Sequence, residues 1–87
     1  MTLRVLDSFR TDYRRLPREI QERVDQALLK LEADPPHPSL RVKKIRGTRD
    51  IWEARVTLAY RLTFQQEENI LVLRRVGTHN ILRKESP

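Results

Sequence analysis

The chain predicts a two-layer α+β fold: a helical hairpin on one face of a small, mostly antiparallel sheet, in the order β-α-α-β-β-β. Three observations carry this. In the first part of the chain, apolar residues recur at the helical period up to Ala33. Prolines at 35, 36 and 38 then stop any helix. After them come three short apolar runs, and in the first two apolar and polar side chains alternate, the period of a strand.

Taken in order, Leu3 to Leu6 is a short apolar run with Arg4 inside it, a first strand. Asp7 and Ser8 are good N-cap residues, and a first helix is expected to start there, with Phe9, Tyr13 and Leu16 on one face. Pro17 interrupts it and suits the first turn of a second helix, where a missing N–H costs nothing. Glu19 adds a favourable charge near that positive helix end. This second helix, from about Pro17 to Ala33, carries Ile20, Val24, Ala27, Leu28 and Leu31 as an apolar stripe. Arg18, Gln21, Glu22, Asp25 and Lys30 take the other side.

The segment Asp34-Pro35-Pro36-His37-Pro38 is a stiff connector within one domain, because little chain lies on either side. Leu40 to Gly47 reads as extended or loop-like and is strongly basic. Ile51–Leu58, Ala59–Gln65 and Asn69–Val76 read as strands, rich in β-branched and aromatic residues. Gln66 to Asn69 is the hairpin turn between the last two, and a turn without glycine is expected at Thr57–Ala59.

Composition narrows the function. The 87 residues make a single domain, 1–87, with one modest core. Eighteen Lys and Arg against 12 Asp and Glu give a net charge of +6, which favours RNA, DNA or an acidic protein as partner. The absence of cysteine excludes disulfides, thiolate catalysis and Cys-based zinc sites. Two histidines do not suggest a metal centre, and two glycines leave no phosphate-cradling Gly-rich loop. No apolar run approaches the roughly 20 residues of a membrane span, and the start lacks a signal-peptide core, so a cytoplasmic protein without a cofactor is expected.

Strand alternation places Glu53 and Arg55 on one face, opposite Trp52, Ala54 and Val56. It places Arg61 and Thr63 on one face, opposite Tyr60, Leu62 and Phe64. The result is a greasy face for the helices and an open cationic face suited to a polyanion. Arg55 and Arg61 are the first candidates, since guanidinium grips phosphate with two parallel hydrogen bonds. The plain alternative is that each pairs with a local carboxylate, Glu53 with Arg55 for example. Lys43, Lys44, Arg46 and Arg49 lead into this face and suit phosphate positioning; a solvated loop is the alternative. His79, after Gly77 and Thr78, is placed to accept a proton, or is a surface residue on a C-terminal tail. Glu53 either serves as a base or holds an arginine in a salt bridge. Trp52 and Tyr60 point toward the helices by parity, and His37 has no role.

These motifs together (KKIRG, IWEARV, AYRLTF and LRRVGTHNIL) resemble the RelE/ParE superfamily of toxins of type II toxin–antitoxin systems. The resemblance spans nearly the whole chain and includes the strand, the charged helix, the Leu-Pro step and the longer helix. It implies a compact α+β domain neutralised by a cognate antitoxin. In the RelE-like branch it implies a ribosome-dependent endoribonuclease that cuts mRNA in the A site without a metal. There the 2′-hydroxyl attacks the adjacent phosphate while basic residues stabilise the added charge. By motif position Arg61 matches the family's phosphate-binding arginine and Arg55 the arginine of the preceding strand. Lys43, Lys44 and Arg46 match its basic segment, and His79 its last basic position. Many active members carry a tyrosine a few residues further on, where this chain reads Asn80-Ile81-Leu82-Arg83-Lys84. The expected function is therefore an mRNA interferase. The alternatives are a ParE-like inhibitor of DNA gyrase without nuclease chemistry and a non-toxic homologue that binds only an antitoxin-like partner.

Overall fold

The computed structural model describes residues 1–85. Strand β1 (Thr2–Val5) leads into helices α1 (Asp7–Arg14) and α2 (Arg18–Ala33). A 3-10 turn (Pro38–Leu40) precedes the short strand β2 (Lys43–Lys44). Strands β3 (Ile51–Arg55), β4 (Tyr60–Glu67) and β5 (Ile70–Thr78) follow, and helix α3 (Asn80–Glu85) comes last. The five strands form one sheet in the order β1-β5-β4-β3-β2, with β1 parallel to β5 and all other neighbours antiparallel. The α+β hairpin-on-sheet architecture holds, with β2 and α3 added to it. The basic segment supplies a two-residue edge strand, and the C-terminal tail is a helix.

Local chemistry explains most boundaries. Pro17 sits at the N-cap of α2, with its carbonyl accepting from Ile20 and Gln21. The N-cap of α1 is Leu6, and neither Asp7 nor Ser8 caps it as their residue types suggest. The Ser8 hydroxyl instead donates to the Arg74 carbonyl at 2.6 Å, so a tertiary bond displaces the local one. At the β3–β4 turn, Thr57 takes over the part glycine often plays. Its Oγ1 accepts from the amides of Ala59 (3.3 Å) and Tyr60 (3.2 Å).

Val24, Ala27 and Leu31 of α2 and Phe9 of α1 bury against Ala54, Val56, Leu62, Phe64, Leu71, Leu73 and Val76 of the sheet. Each large side chain removed from water here contributes about 1.5–3 kcal/mol. Trp52 and Tyr60 are half-buried against the same core, on the side their parity predicts.

The opposite face is less open than the alternation suggests. Ile45, Val72 and Ile81 are buried and stand apart from the helix-side core. A Cβ on Gly77 would come within 2.9 Å of Ile81 Cγ2, so α3 lies directly on β5 there. The loop after β2 and the helix after β5 thus cover much of the face. Periodicity within single strands cannot show this.

A bulge in β5 ties the strand to α1 and to α3. Thr63 pairs with Arg75 and Phe64 with Leu73, leaving Arg74 as the extra residue. Such an insertion re-aims the side chains around it. Arg74 pairs with Glu85 of α3 at 2.7 Å, and Arg75 grips Asp12 of α1 through two bonds of 2.7 and 2.9 Å. Asp12 also accepts the Val76 amide at 3.1 Å, and the fully buried Thr63 hydroxyl accepts the Arg75 amide at 3.0 Å. Removing one member of a buried ion pair strands the other charge. Asp12→Ala should therefore cost about 2–4 kcal/mol in urea unfolding, far above an exposed Asp→Ala change.

The helical hairpin carries its own tie. The Tyr13 hydroxyl donates to Asp25 Oδ1 at 2.8 Å. That bond, with burial and the charge of Asp25, raises the Tyr13 pKa above its ordinary 10.0. The protonated form is the one held in the fold. The stabilisation is therefore complete below pH 10 and is lost as pH rises through the raised value. In Asp25→Ala, absorbance titration should show Tyr13 ionising at lower pH than in the wild type.

Candidate nucleic-acid interface

Strands β3 and β4 bring the central candidates together. Arg55 and Arg61 are direct partners in the antiparallel register, and Glu53 lies opposite Thr63. Lys43 is the register partner of Glu53, so it joins the same face. Lys43, Glu53, Arg55 and Arg61 line one cleft of about 280 Å³, and Arg41 completes it.

Two adjacent arginines repel unless an anion lies near them. The chain supplies that anion. Glu53 Oε1 lies 3.7 Å from Arg61 Nε, an ion pair just too long for a hydrogen bond. The plain alternative of a local carboxylate partner holds for Arg61 and not for Arg55: Glu53 pairs with Arg61, diagonally across the strands. Both members are buried, Glu53 at 7% and Arg61 at 9% exposure. Arg61 Nη1 also donates to the carbonyls of Thr57 (2.7 Å), Leu58 (3.1 Å) and Tyr60 (3.1 Å). The Arg61 guanidinium therefore laces the β3–β4 turn from within.

Arg55 is different. Its Nε is buried and has no hydrogen-bond partner among the described residues. An unsatisfied buried donor costs about 1–3 kcal/mol, more when charged. Among the described residues neither Lys43 nor Arg55 has a carboxylate partner. Arg41, which sequence reasoning passed over, is in the same condition. It ends the 3-10 turn in left-handed backbone (φ 45°, ψ 48°), with its amide donating to the Pro38 carbonyl at 3.2 Å. That conformation costs a non-glycine residue about 1–2 kcal/mol. The only signal in sequence was its place ahead of the basic run.

The remaining candidates stand elsewhere. Lys44 pairs with Trp52 in register, which puts it on the opposite face from Lys43. Arg46 and Arg49 are exposed in the loop joining β2 to β3, which Thr48 closes through its hydroxyl bond to the Ile45 carbonyl at 2.6 Å. His79 is exposed and does not line the cleft. It follows β5 two residues after Gly77, the register partner of Arg61, and so belongs to the same end of the sheet. Among the described residues, no group of three or more His, Cys, Asp or Glu is placed to hold a metal ion. No described helix is long and apolar enough to cross a membrane.

The fold and the site define a small basic α+β domain, with a helical hairpin on one face of its sheet and a cationic cleft where β3 meets β4. Residues 3–82 match the model of the ParE toxin of type II toxin–antitoxin systems, parDE, and the chain belongs to that family. Among curated proteins none matches its sequence. The fold is similar to that of the Methanococcus jannaschii RelB–RelE antitoxin–toxin complex, at 19% identity and TM-score 0.77, covering 97% of this chain and 99% of that one. It is similar to YafQ from Escherichia coli BL21(DE3), at 15% identity and TM-score 0.78, covering 92% and 94%. It is also similar to a YoeB/ParE toxin from Agrobacterium tumefaciens, at 18% identity and TM-score 0.75, covering 91% and 99%.

Because Glu53 compensates a buried arginine, Glu53→Gln should destabilise the fold by about 2–4 kcal/mol. In Glu53→Gln/Arg61→Met the loss should be smaller than the sum of the two single losses. Urea unfolding of the four proteins measures this coupling, and additive losses would mean that the pair does not hold the turn.

Proposed function

We propose that this protein is an mRNA interferase: a toxin that binds mRNA on the ribosome, in the cytoplasm, and cleaves it by attack of a 2′-hydroxyl on the adjacent phosphate. The observation that carries this reading is the cleft at the β3–β4 junction, where Arg55 offers a buried donor with no acceptor. A phosphate in the cleft pairs with the charge of the Arg55 guanidinium, and Lys43 adds a point charge beside it. In the attack, the phosphorus gains a fifth oxygen and an extra negative charge; its bond to the 5′-oxygen then breaks, leaving a 2′,3′-cyclic phosphate and a 5′-hydroxyl whose proton comes from water. Fixed guanidinium groups stabilise that charge without reorganising. Arg61, held by Glu53 and three carbonyls, keeps the arginine pair in place and contributes its positive field. His79, at the same end of the sheet, takes the proton of the 2′-hydroxyl. Arg46 and Arg49, exposed in the loop after β2, contact the flanking backbone as sequence-independent phosphate ligands, while Lys44 faces away from the cleft.

A cognate antitoxin is the second proposed partner. The solved relative from Methanococcus jannaschii is an antitoxin–toxin complex. The net charge of +6 attracts an acidic segment, and association with it should slow as salt rises.

A specific observation favours a second reading, a gyrase inhibitor without nuclease chemistry. The matching family model is that of the ParE toxin, and the Arg61 Nη1 donor is spent on carbonyls of its own chain. One experiment separates the two. Purified protein added to programmed ribosomes should cut mRNA in the A site. Arg55→Ala and His79→Ala should each slow cutting by about 10²-fold or more. Intact mRNA on the ribosomes, together with blocked gyrase supercoiling, would establish the second reading and end the first.

A further inference from the structure

We infer that Arg41 is a phosphate-binding residue, which with Lys43 and Arg55 holds one RNA phosphodiester in the cleft. This rests on the RNA reading above, but it concerns binding and not cleavage.

Three independent features converge. The first is charge. Glu53 and Arg61 neutralise each other at 3.7 Å, so the uncompensated charge of the cleft comes from Arg41, Lys43 and Arg55. None of these three has a carboxylate partner among the described residues. Three cations beside one cleft repel each other unless an anion occupies it. The second is the Arg55 Nε, buried and without an acceptor. Buried donors are nearly always paired, so the missing acceptor leaves this guanidinium, which lines the cleft, uncommitted to the protein at that atom. The third is the backbone of Arg41. At φ 45° and ψ 48° this position favours glycine, yet it carries the one side chain that adds a second guanidinium fork to the cleft. The turn itself does not need arginine, because its closing bond runs from the backbone amide to the Pro38 carbonyl.

The ligand chemistry follows from these groups. Two planar forks and an ammonium suit a tetrahedral oxyanion with several free oxygens. A planar carboxylate leaves part of that donor set unmatched. The cleft, of about 280 Å³, has room for a phosphate and its two ester oxygens.

The test uses the full chain and a fluorescent 2′-O-methylated hexaribonucleotide, which binds but cannot be cut. Arg41→Gly should raise the anisotropy Kd about tenfold or more. It should also flatten the slope of log K against log salt by about 0.7, the signature of one lost contact to single-stranded phosphate. The same variant should melt at or above the wild-type temperature, because glycine relieves the left-handed backbone. Lost binding in a protein of equal or greater stability cannot be unfolding. Arg41→Lys should restore the salt slope and only part of the affinity. Inorganic phosphate should compete with the oligonucleotide on the wild type and compete less well on Arg41→Gly.

Wild-type Kd and salt slope in Arg41→Gly would overturn the inference. So would a variant that keeps its RNA affinity but loses binding to a poly-glutamate peptide, since the cleft would then read an acidic protein. If RNA binding depends on Arg41 while programmed ribosomes keep their mRNA intact, the nuclease reading fails and this site stands.

Discussion

Arg61 is buried in the turn between β3 and β4, and almost everything distinctive about the site depends on how its charge is met. Its guanidinium donates to the carbonyls of Thr57, Leu58 and Tyr60 and lies 3.7 Å from the carboxylate of Glu53. A charge taken out of water to this depth must be compensated, or the fold pays several kcal/mol. Here the compensation comes from the chain. The same contacts do the work that a glycine would do in a conventional hairpin, and they hold a turn whose Leu58 stands exposed at its tip. With Arg61 fixed, its register partner Arg55 is fixed too, and the cleft acquires its shape.

Compensation at Arg61 also divides the labour among the cations. An arginine that already has a carboxylate and three carbonyls is a scaffold charge. The arginine beside it, with a buried donor left unpaired, is the one equipped to take a ligand. Arg41 and Lys43 complete the set. The site therefore combines a neutralised pair that sets geometry with three cations that have no carboxylate partner among the described residues.

The rest of the fold serves to keep this junction rigid. The bulge at Arg74 sends two adjacent arginines to two different helices, Asp12 of α1 and Glu85 of α3. Through them β5 is tied to α1 and to α3. Gly77 lets α3 settle on the strand directly beside the register position of Arg61. Ile45, Val72 and Ile81 are buried apart from the helix-side core.

Much of this was legible in the chain by itself. The helical stripe of Val24, Ala27 and Leu31, the stop at Pro35 to Pro38 and the alternation from Ile51 to Phe64 are local periodicities. Each determined its element and the face that Arg55, Arg61 and Glu53 occupy. The motif order was enough to place the chain in its family. What only the tertiary structure decided depends on contacts between segments distant in sequence. Which arginine takes Glu53 follows from strand register, since a diagonal neighbour across β3 and β4 outcompetes the neighbour two residues along the same strand. Whether Ser8 caps its helix or bonds to Arg74, 66 residues away, is a competition that no window of sequence contains. Arg41 enters the cleft because a 3-10 turn closes into left-handed backbone there. Periodicity assigns faces, but pairing, coverage and strain arise only when the elements pack.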